Sequence, residues 1–247
     1  RHGARFPTKP TGPENLSWPQ RTQFWETYKG HLTPVGSKQL HDVGHSLRKL
    51  YVAFDDKSAT QQGLFEGVDP IDGRTAVCYT SNVQRTLQSA WSLLLGLLGE
   101  RAPVFFAFRS DRVVSAGLRQ KIGVPIFIED APEHHDKLFH EWNLWDDYAA
   151  WRKANERNSR FFRECAEDES YRALANKLHA ATGLPNLAPE HAMIDRLVAI
   201  KDVDTTIQIN RAHSLPLLPS ASKVDLTREE FQMVQEVGLE LKRCWFQ

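Results

Sequence analysis

Apolar residues recur every three or four positions in three long stretches of the chain, which is the period of an amphipathic helix. The first stretch covers residues 35–51 and follows Thr33-Pro34, a pair typical of an N-cap with proline at the first helical position. The other two stretches cover residues 83–98 and 231–245. The spacing therefore predicts a helix in each of the three places.

Two short apolar runs flank the second predicted helix. Residues 74–79 precede it and residues 103–108 follow it, and both runs have the length and composition of a strand. Thr80-Ser81-Asn82 supplies turn and N-cap residues between the first run and the helix. A strand, a turn, a helix and a second strand in close succession predict a parallel sheet with helices on its faces.

The later part of the chain has a different pattern. Between residues 139 and 182 charged helical stretches carry apolar stripes without a strand signal, and 189–200 continues as helix. Residues 205–209 are strand-like, and Thr227 with Glu230 forms a capping-box pattern before the last helix. We therefore expect three segments: the first half of an α/β core at 1–110, a mostly helical cap insertion at 111–200, and a return to the core at 201–247.

Composition and charge exclude several classes of protein. The chain has 247 residues, with 31 Lys and Arg against 31 Asp and Glu, so it lacks the excess positive charge of a nucleic-acid binder. Its longest apolar stretch, residues 89–99, is about half of the roughly 20 residues that span a bilayer. No P-loop or GxGxxG pattern occurs, so no cofactor is predicted. His134, His135 and His140 lie near Glu141, but they do not form an HExxH pattern, so no metal is predicted either.

A cationic cluster opens the chain and is the best candidate for chemistry. Arg1 and Arg5 bracket His2, and two guanidinium groups can donate charge-assisted, bidentate hydrogen bonds to phosphoryl oxygens. A neutral imidazole between them can act as a nucleophile at physiological pH. A basic surface loop with a solvated histidine would show the same composition, so both interpretations stand on these residues alone.

Three motifs together resemble a known family. Arg1-His2-Gly3-Ala4-Arg5-Phe6-Pro7 resembles the RHGxRxP signature of the histidine phosphatase superfamily, in its acid-phosphatase and phytase branch. Leu32-Thr33-Pro34-Val35-Gly36 and the stretch from Thr80 to Leu87 resemble two further segments of that branch, L-T-x-x-G and S-T-D-x-x-R-T-L. The chain is most similar to the lysophosphatidic acid phosphatase-like members. This resemblance covers most of residues 1–110.

The resemblance implies a fold and a mechanism. The fold would be α/β, a three-layer α/β/α sheet domain of the phosphoglycerate mutase type with a helical cap insertion. His2 would be the nucleophile that forms a phosphohistidine, while Arg1, Arg5 and Arg85 would bind the phosphate and stabilise the transition state without a metal. The chain would then be a phosphomonoester hydrolase, a histidine acid phosphatase, acting on a small-molecule phosphomonoester, with a lysophospholipid as one candidate. No nucleic-acid partner and no membrane span are expected.

The chain departs from the family in its proton donor, an Asp or Glu that follows a histidine after a late apolar strand. Four stretches look similar and none fits the pattern: His41-Asp42 lies within a predicted helix, His135-Asp136 has no predicted strand before it, Glu190-His191-Ala192-Met193 has Met in place of Glu, and Ala212-His213-Ser214 has no carboxylate. The chain lacks an initiator Met and stops after its last predicted helix. We therefore expect a chain cut at both ends, with the acid beyond Gln247.

Two other functions remain open on the sequence. One is a catalytically silent module that binds phosphate or a phospholipid. The other is a phosphotransferase or mutase of the same superfamily, which passes the phosphoryl group to an acceptor other than water. The sequence predicts neither the identity of the substrate nor the localisation of the protein.

Overall fold

The computed structural model describes residues 2–8, 22–52, 63–65, 68, 70–108, 123–129, 147–218 and 224–246. The chain divides into two compact units. Unit 1 comprises Arg1–Phe6 and Gly30–Leu144, and unit 2 comprises Pro7–Lys29 and Trp145–Gln247. The division predicted at residues 110 and 200 from the pattern of strands and helices stays a prediction.

Unit 1 is built on a parallel sheet. Its strands are β1 (Cys78–Ser81), β2 (Val104–Phe108) and β3 (Val124–Glu129). Strand β3 lies in the middle, and both β1 and β2 pair with it in parallel. The α/β fold class with a parallel sheet is therefore confirmed, and so are the two strands predicted on either side of the second helix, with β1 beginning four residues later than the apolar run.

The central strand β3 was not predicted from the sequence. All six of its residues are buried, so its side chains show no alternation of apolar and polar positions. It also contains Pro125, and proline within an apolar run argues against a central strand. Pro125 pairs with β2 alone, because the pairing of β1 with β3 begins only at Ile126, and the missing N–H therefore interrupts no ladder on the β1 side.

Two helices of unit 1 position the candidate site. Helix α2 (Pro34–Leu47) ends in a single wider turn at Arg48–Val52, and α3 (Gln84–Leu98) follows β1 directly. Thr33 caps α2, because its hydroxyl accepts a hydrogen bond from Gly36 N–H at 3.3 Å. Both helices confirm the predicted pattern, although α3 begins without the side-chain cap expected from Thr80-Ser81-Asn82.

The two helices cross at glycines. A Cβ atom added at Gly44 of α2 would overlap Leu93 O of α3, and one added at Gly96 of α3 would overlap His41 O of α2. The backbones of the two helices are thus in direct contact. Helix α2 needs glycine at this point although glycine lowers helix propensity, because any side chain would push the helices apart.

In the part of unit 2 that the structure describes, the regular secondary structure is helical. Its helices are α1 (Thr22–Tyr28), α4 (Tyr148–Asn158), α5 (Arg160–Glu167), α6 (Glu169–Thr182), α7 (Met193–Ala212) and α8 (Arg228–Phe246). The predicted capping box precedes α8, where Thr227 N–H donates to Glu230 Oε2 at 2.7 Å and Glu230 N–H donates to Thr227 Oγ1 at 3.2 Å. The helical stretches predicted between residues 139 and 182 are confirmed where the structure describes them, from Tyr148 onward.

One predicted element of unit 2 is wrong. Residues 205–209 are not a strand but belong to α7, which runs without interruption across residue 200. The alternating β-branched residues there suggested a strand, yet Ile200, Val203 and Ile207 are fully buried at spacings of three and four. Burial of this helix face therefore outweighs the local β propensity of the segment.

Within the described residues, no helix combines the length and the hydropathy that a membrane span requires. The three cysteines, Cys78, Cys165 and Cys244, are free thiols.

The glycine crossing can be tested by substitution. We expect Gly44→Ala to lower the free energy of unfolding by about 1–3 kcal/mol, because the new methyl group meets the α3 backbone. Helix propensity alone would give the opposite sign, a gain of about 0.5–1 kcal/mol. Urea unfolding followed by circular dichroism measures the difference. The control is Ser46→Ala at an exposed position of the same helix, which we expect to stay within about 0.5 kcal/mol of the wild type; a stabilised Gly44→Ala protein would contradict the close contact.

Candidate active site

The N-terminal segment, residues 2–6, is held by main-chain hydrogen bonds to the residues just before α2. Arg5 and Leu32 form an antiparallel bridge. Thr33 N–H and the Thr33 hydroxyl both donate to Ala4 O, each at 3.1 Å. The position of this segment is therefore set by the backbone, and the side chains of His2 and Arg5 are left for other contacts.

Two glycines bring the segment against the first turn of α2. A Cβ atom at Gly3 would overlap Gly36 O, and a Cβ atom at Gly36 would overlap Ala4 O. The segment and the helix therefore touch backbone to backbone at this point. Gly3 follows His2 directly, so this contact also fixes the position of the His2 backbone, from which the imidazole side chain extends.

Two glutamine side chains complete the attachment. Gln39 of α2 accepts a hydrogen bond from Ala4 N–H at 2.8 Å, and Gln84 at the start of α3 accepts one from Leu32 N–H at 2.8 Å. The second bond joins the strand-like segment before α2 to the first residue of α3. Hydrogen bonds thus connect the N-terminal segment with α2 and α3, and they supply partners for polar groups that packing partly buries.

The His2 ring faces α3. Its Nδ1 atom lies 3.1 Å from Ser89 Oγ, and the Ser89 side chain is buried. Ser89 and Arg85 are four residues apart on α3 and so lie on one face of that helix. The histidine therefore stands beside the face of α3 that carries both side chains.

Electrostatics at the site favour a neutral histidine. Burial of the ring lowers the pKa of His2 below its ordinary value, and the positive charges of Arg85 and Arg5 lower it further. A histidine with a lowered pKa keeps a nitrogen lone pair to a lower pH than a free imidazole does. The structure thus brings together three of the four predicted site residues, His2, Arg5 and Arg85, while Arg1 lies outside the described residues.

The site lies at the carboxyl end of the sheet. Arg85 is in the first turn of α3, which begins three residues after the end of β1. Ser81 closes this connection, because the Thr86 hydroxyl donates to Ser81 O at 2.7 Å. Ligands of open α/β sheets bind at this edge, and the N-terminus of a helix adds a partial positive charge to it. The arrangement suits an anion.

Two of the four stretches considered for a proton donor lie in unit 1. His41-Asp42 is exposed on α2, and Asp42 pairs with Lys38 through a 2.8 Å contact to Nζ. His135-Asp136 lies outside the described residues. The prediction that no strand precedes this pair is wrong, because β3 ends at Glu129.

The other two stretches lie in unit 2. Glu190-His191-Ala192-Met193 leads into α7, which begins at Met193. His213 caps the end of α7, and its Nδ1 atom lies 2.7 Å from Ile209 O. The strand predicted before His213 is helical, so the resemblance of this stretch to the family's donor strand is lost.

Three residues of the site were not found by sequence reasoning: Ser89, Gln39 and Gln84. The helical spacing of Ser89 from Arg85 was the available signal for the first, whereas the glutamine contacts depend on how α2 and α3 pack. No group of three or more His, Cys, Asp or Glu residues able to hold a metal ion occurs in the described part of the chain. The histidines at 134, 135 and 140 lie outside it.

Comparison with solved structures identifies similar folds. The chain superposes on the phytase of Hafnia alvei in complex with tartrate with a TM-score of 0.58 at 16% identity, covering 98% of this chain and 58% of that one. For the Klebsiella sp ASR1 phytase the TM-score is 0.54 at 18% identity, with 99% and 57% covered. For the phytase from Citrobacter braakii it is 0.56 at 15% identity, with 99% and 58% covered. The chain thus spans less than two thirds of these phytases, and identities this low show the fold alone.

Sequence comparison identifies the family. No curated protein matches the chain at a significant level. The family model of the histidine phosphatase superfamily (branch 2), however, matches residues 1–197, which is most of the chain and includes the three motifs that resemble the family. The chain therefore belongs to branch 2 of the histidine phosphatase superfamily.

Proposed function

We propose that this chain is part of a phosphomonoester hydrolase, a histidine acid phosphatase that works through a phosphohistidine at His2. The observation that carries the proposal is the placement of the His2 ring against α3, with its Nδ1 atom 3.1 Å from Ser89 Oγ on the helix face that also carries Arg85. The positive charges of Arg85 and Arg5 support it, because they lower the pKa of His2 further than partial burial alone does. Membership of the superfamily supports phosphatase chemistry in general. The mechanism and the substrate below are proposals for this chain.

In the first step, the lone pair of His2 Nε2 forms a bond to phosphorus in line with the departing oxygen. The P–O bond breaks, and its electron pair leaves with the alkoxide, which a carboxylic acid would protonate. In the second step, water attacks phosphorus and gives a proton to the carboxylate left by the first step, the N–P bond breaks, and inorganic phosphate is released. The neutral imidazole is then restored, so His2 is unchanged after each turnover.

The arginines would supply electrostatic stabilisation. Arg85 and Arg5 already act on His2 through their charge, and Arg1 would be the third guanidinium of the cradle. Charge on the transferring phosphoryl group is spread over its non-bridging oxygens, where planar guanidinium groups bind in pairs of parallel hydrogen bonds. This cradle would need no metal, because the arginines neutralise the charge themselves.

The substrate would be a small phosphomonoester. The Hafnia alvei phytase was solved with tartrate and also with myo-inositol hexakis sulphate, both of them anions. An inositol phosphate and a lysophospholipid are the two substrates that the structural neighbours and the sequence resemblance favour, respectively. Comparing release of phosphate from both would distinguish them.

The nucleophile is tested with p-nitrophenyl phosphate. The p-nitrophenolate ion is a weak base and leaves without a proton, so the assay depends on the nucleophile and the cradle and not on the acid. We expect His2→Ala to lower kcat by about 10³-fold or more, because the covalent step is lost. The control is His41→Ala, an exposed histidine on α2, which should keep wild-type turnover.

The outcomes separate the three functions. Turnover retained in His2→Ala would overturn the proposed mechanism. A wild-type protein that binds inorganic phosphate and shows neither turnover nor phosphohistidine would be the silent binding module. A phosphohistidine that forms but passes its phosphoryl group to added glycerol or sugar in preference to water would indicate a phosphotransferase.

Arg85 can be tested in the same assay. We expect Arg85→Ala to lower kcat by about 10²–10³-fold, as the loss of one oriented donor to a transition-state oxygen does. Arg85→Lys should recover only part of this loss, because an ammonium group keeps the charge without the two parallel donors. Lys49→Ala, at an exposed position after α2, is the control for charge and should be unchanged. A fully active Arg85→Ala protein would remove Arg85 from the cradle.

The electrostatic coupling predicts a shift in titration. Removing the charge of Arg85 stabilises the protonated imidazole, so we expect the pKa of His2 to be higher in Arg85→Gln than in the wild type. It should stay below the ordinary value of 6.5, because burial is the larger cause. An NMR titration of the His2 Cε1–H signal measures both values, with Lys49→Gln as the control. A lower or unchanged pKa in Arg85→Gln would contradict the coupling.

A further inference from the structure

Ser89 has an unusual environment for a helical serine. It lies in the first half of α3, its side chain is 8% exposed, and its hydroxyl contacts His2 Nδ1 at 3.1 Å across 87 residues of sequence. A hydroxyl and an imidazole nitrogen at this distance form a hydrogen bond. One ring nitrogen of His2 thus has a buried hydroxyl as its polar partner, and the other ring nitrogen remains for chemistry.

Two other hydroxyl side chains in described helices of this chain bond within their own helix. Ser46 donates to Asp42 O at 2.9 Å, and Thr182 donates to Leu178 O at 2.7 Å. Each of them bonds to the carbonyl four residues earlier in its own helix, the usual local partner of a helical hydroxyl. Ser89 is hydrogen-bonded instead to a side chain of the N-terminal segment. Its contact is therefore a tertiary one that the packing of α3 against that segment creates.

The hydrogen bond has a consequence for the tautomer of His2. A neutral imidazole carries its proton on one nitrogen and a lone pair on the other. If Ser89 Oγ accepts the bond, the proton is on Nδ1 and the lone pair is on Nε2. If Ser89 donates, the lone pair is on Nδ1, and Nε2 carries the proton and cannot attack phosphorus.

We propose that Ser89 is a positioning residue that accepts a hydrogen bond from His2 Nδ1–H, so that Nε2 carries the lone pair and is aimed at the phosphoryl group. This inference rests on the proposed function of His2 as a nucleophile. It assigns to α3 two roles on one face: Arg85 binds the phosphoryl oxygens, and Ser89, one turn later, orients the nucleophile that attacks the same group.

The same hydrogen bond would stabilise the covalent intermediate. When Nε2 forms its bond to phosphorus and the leaving group departs with the P–O electron pair, Nδ1 keeps its proton. The ring then carries positive charge, and a hydrogen bond from a charged donor is stronger than one from a neutral donor. Ser89 Oγ therefore contributes more to the phosphohistidine than to the free enzyme.

The tautomer is measured directly by the ¹⁵N shifts of the His2 ring in the neutral form. We expect the wild type to have Nδ1 protonated and Nε2 unprotonated, and Ser89→Ala to shift toward the Nε2–H form that free histidine favours. Ser92→Ala, at another buried serine of the same helix, is the matched control and should keep the wild-type shifts. A wild type with Nε2 protonated, or a Ser89→Ala protein with unchanged shifts, would overturn the inference.

Kinetics supply the second readout. With p-nitrophenyl phosphate, Ser89→Ala should form the phosphohistidine about tenfold more slowly, the loss expected for one hydrogen bond of about 1–1.5 kcal/mol. Ser89→Thr keeps the hydroxyl and should recover most of the rate if it folds as the wild type does, and Ser92→Ala should not differ. Equal losses in Ser89→Ala and Ser92→Ala would show a packing effect and overturn the positioning role.

Failure of this inference and failure of the proposed function give different results. If His2→Ala keeps wild-type turnover, the proposed function fails whatever the tautomer is. If His2→Ala is inactive while Ser89→Ala keeps the wild-type tautomer and rate, only the role of Ser89 fails. The ¹⁵N measurement requires no turnover, so it decides the tautomer even in a protein that only binds phosphate.

Discussion

The backbone contact between Gly3 and Gly36 is the constraint on which the site depends. Two chain segments can come this close only where neither carries a side chain, and here the N-terminal segment rests on the first turn of α2. The glycine crossing of Gly44 and Gly96 likewise brings the backbones of α2 and α3 into direct contact. Through these two contacts His2 reaches a helix far along the chain. Backbone packing thus determines where the histidine lies, and the side chains around the histidine supply the chemistry.

The electrostatics of the site combine two requirements in one set of residues. Positive charge attracts a phosphate group, and the same charge keeps an adjacent histidine neutral. Arg85 and Arg5 lower the pKa of His2, as burial does. A bound dianion would offset these positive charges and raise that pKa again. The free site is therefore the state in which the imidazole is most readily deprotonated, and a bound anion and a proton on His2 favour each other.

Much of the fold could be predicted from the sequence, because periodicity is a direct record of which face of an element is buried. The helices α2, α3 and α8 follow from spacing and capping residues alone. Strand β3 does not, since a strand buried on both faces shows no alternation and contains a proline. Residues 205–209 failed for the opposite reason: a local alternation of β-branched residues suggested a strand, but the tertiary packing of α7 decided for helix.

The candidate site was predictable to the extent that its residues form a motif. His2, Arg5 and Arg85 could be named because family motifs carry them, and their proximity is what the structure adds. Ser89 and the two glutamines belong to no such motif. Their contacts exist only once α2, α3 and the N-terminal segment are packed together, so no local pattern encodes them.

The long separation between His2 and Ser89 has a consequence for folding. A contact that closes a loop of 87 residues carries an entropic cost of loop closure, and such non-local contacts slow folding. Strand β3 lies still later in the chain, yet it is the central strand with which β1 and β2 pair. During synthesis, His2 is therefore made well before β3, and β1 and β2 lack their central partner strand until β3 has been made.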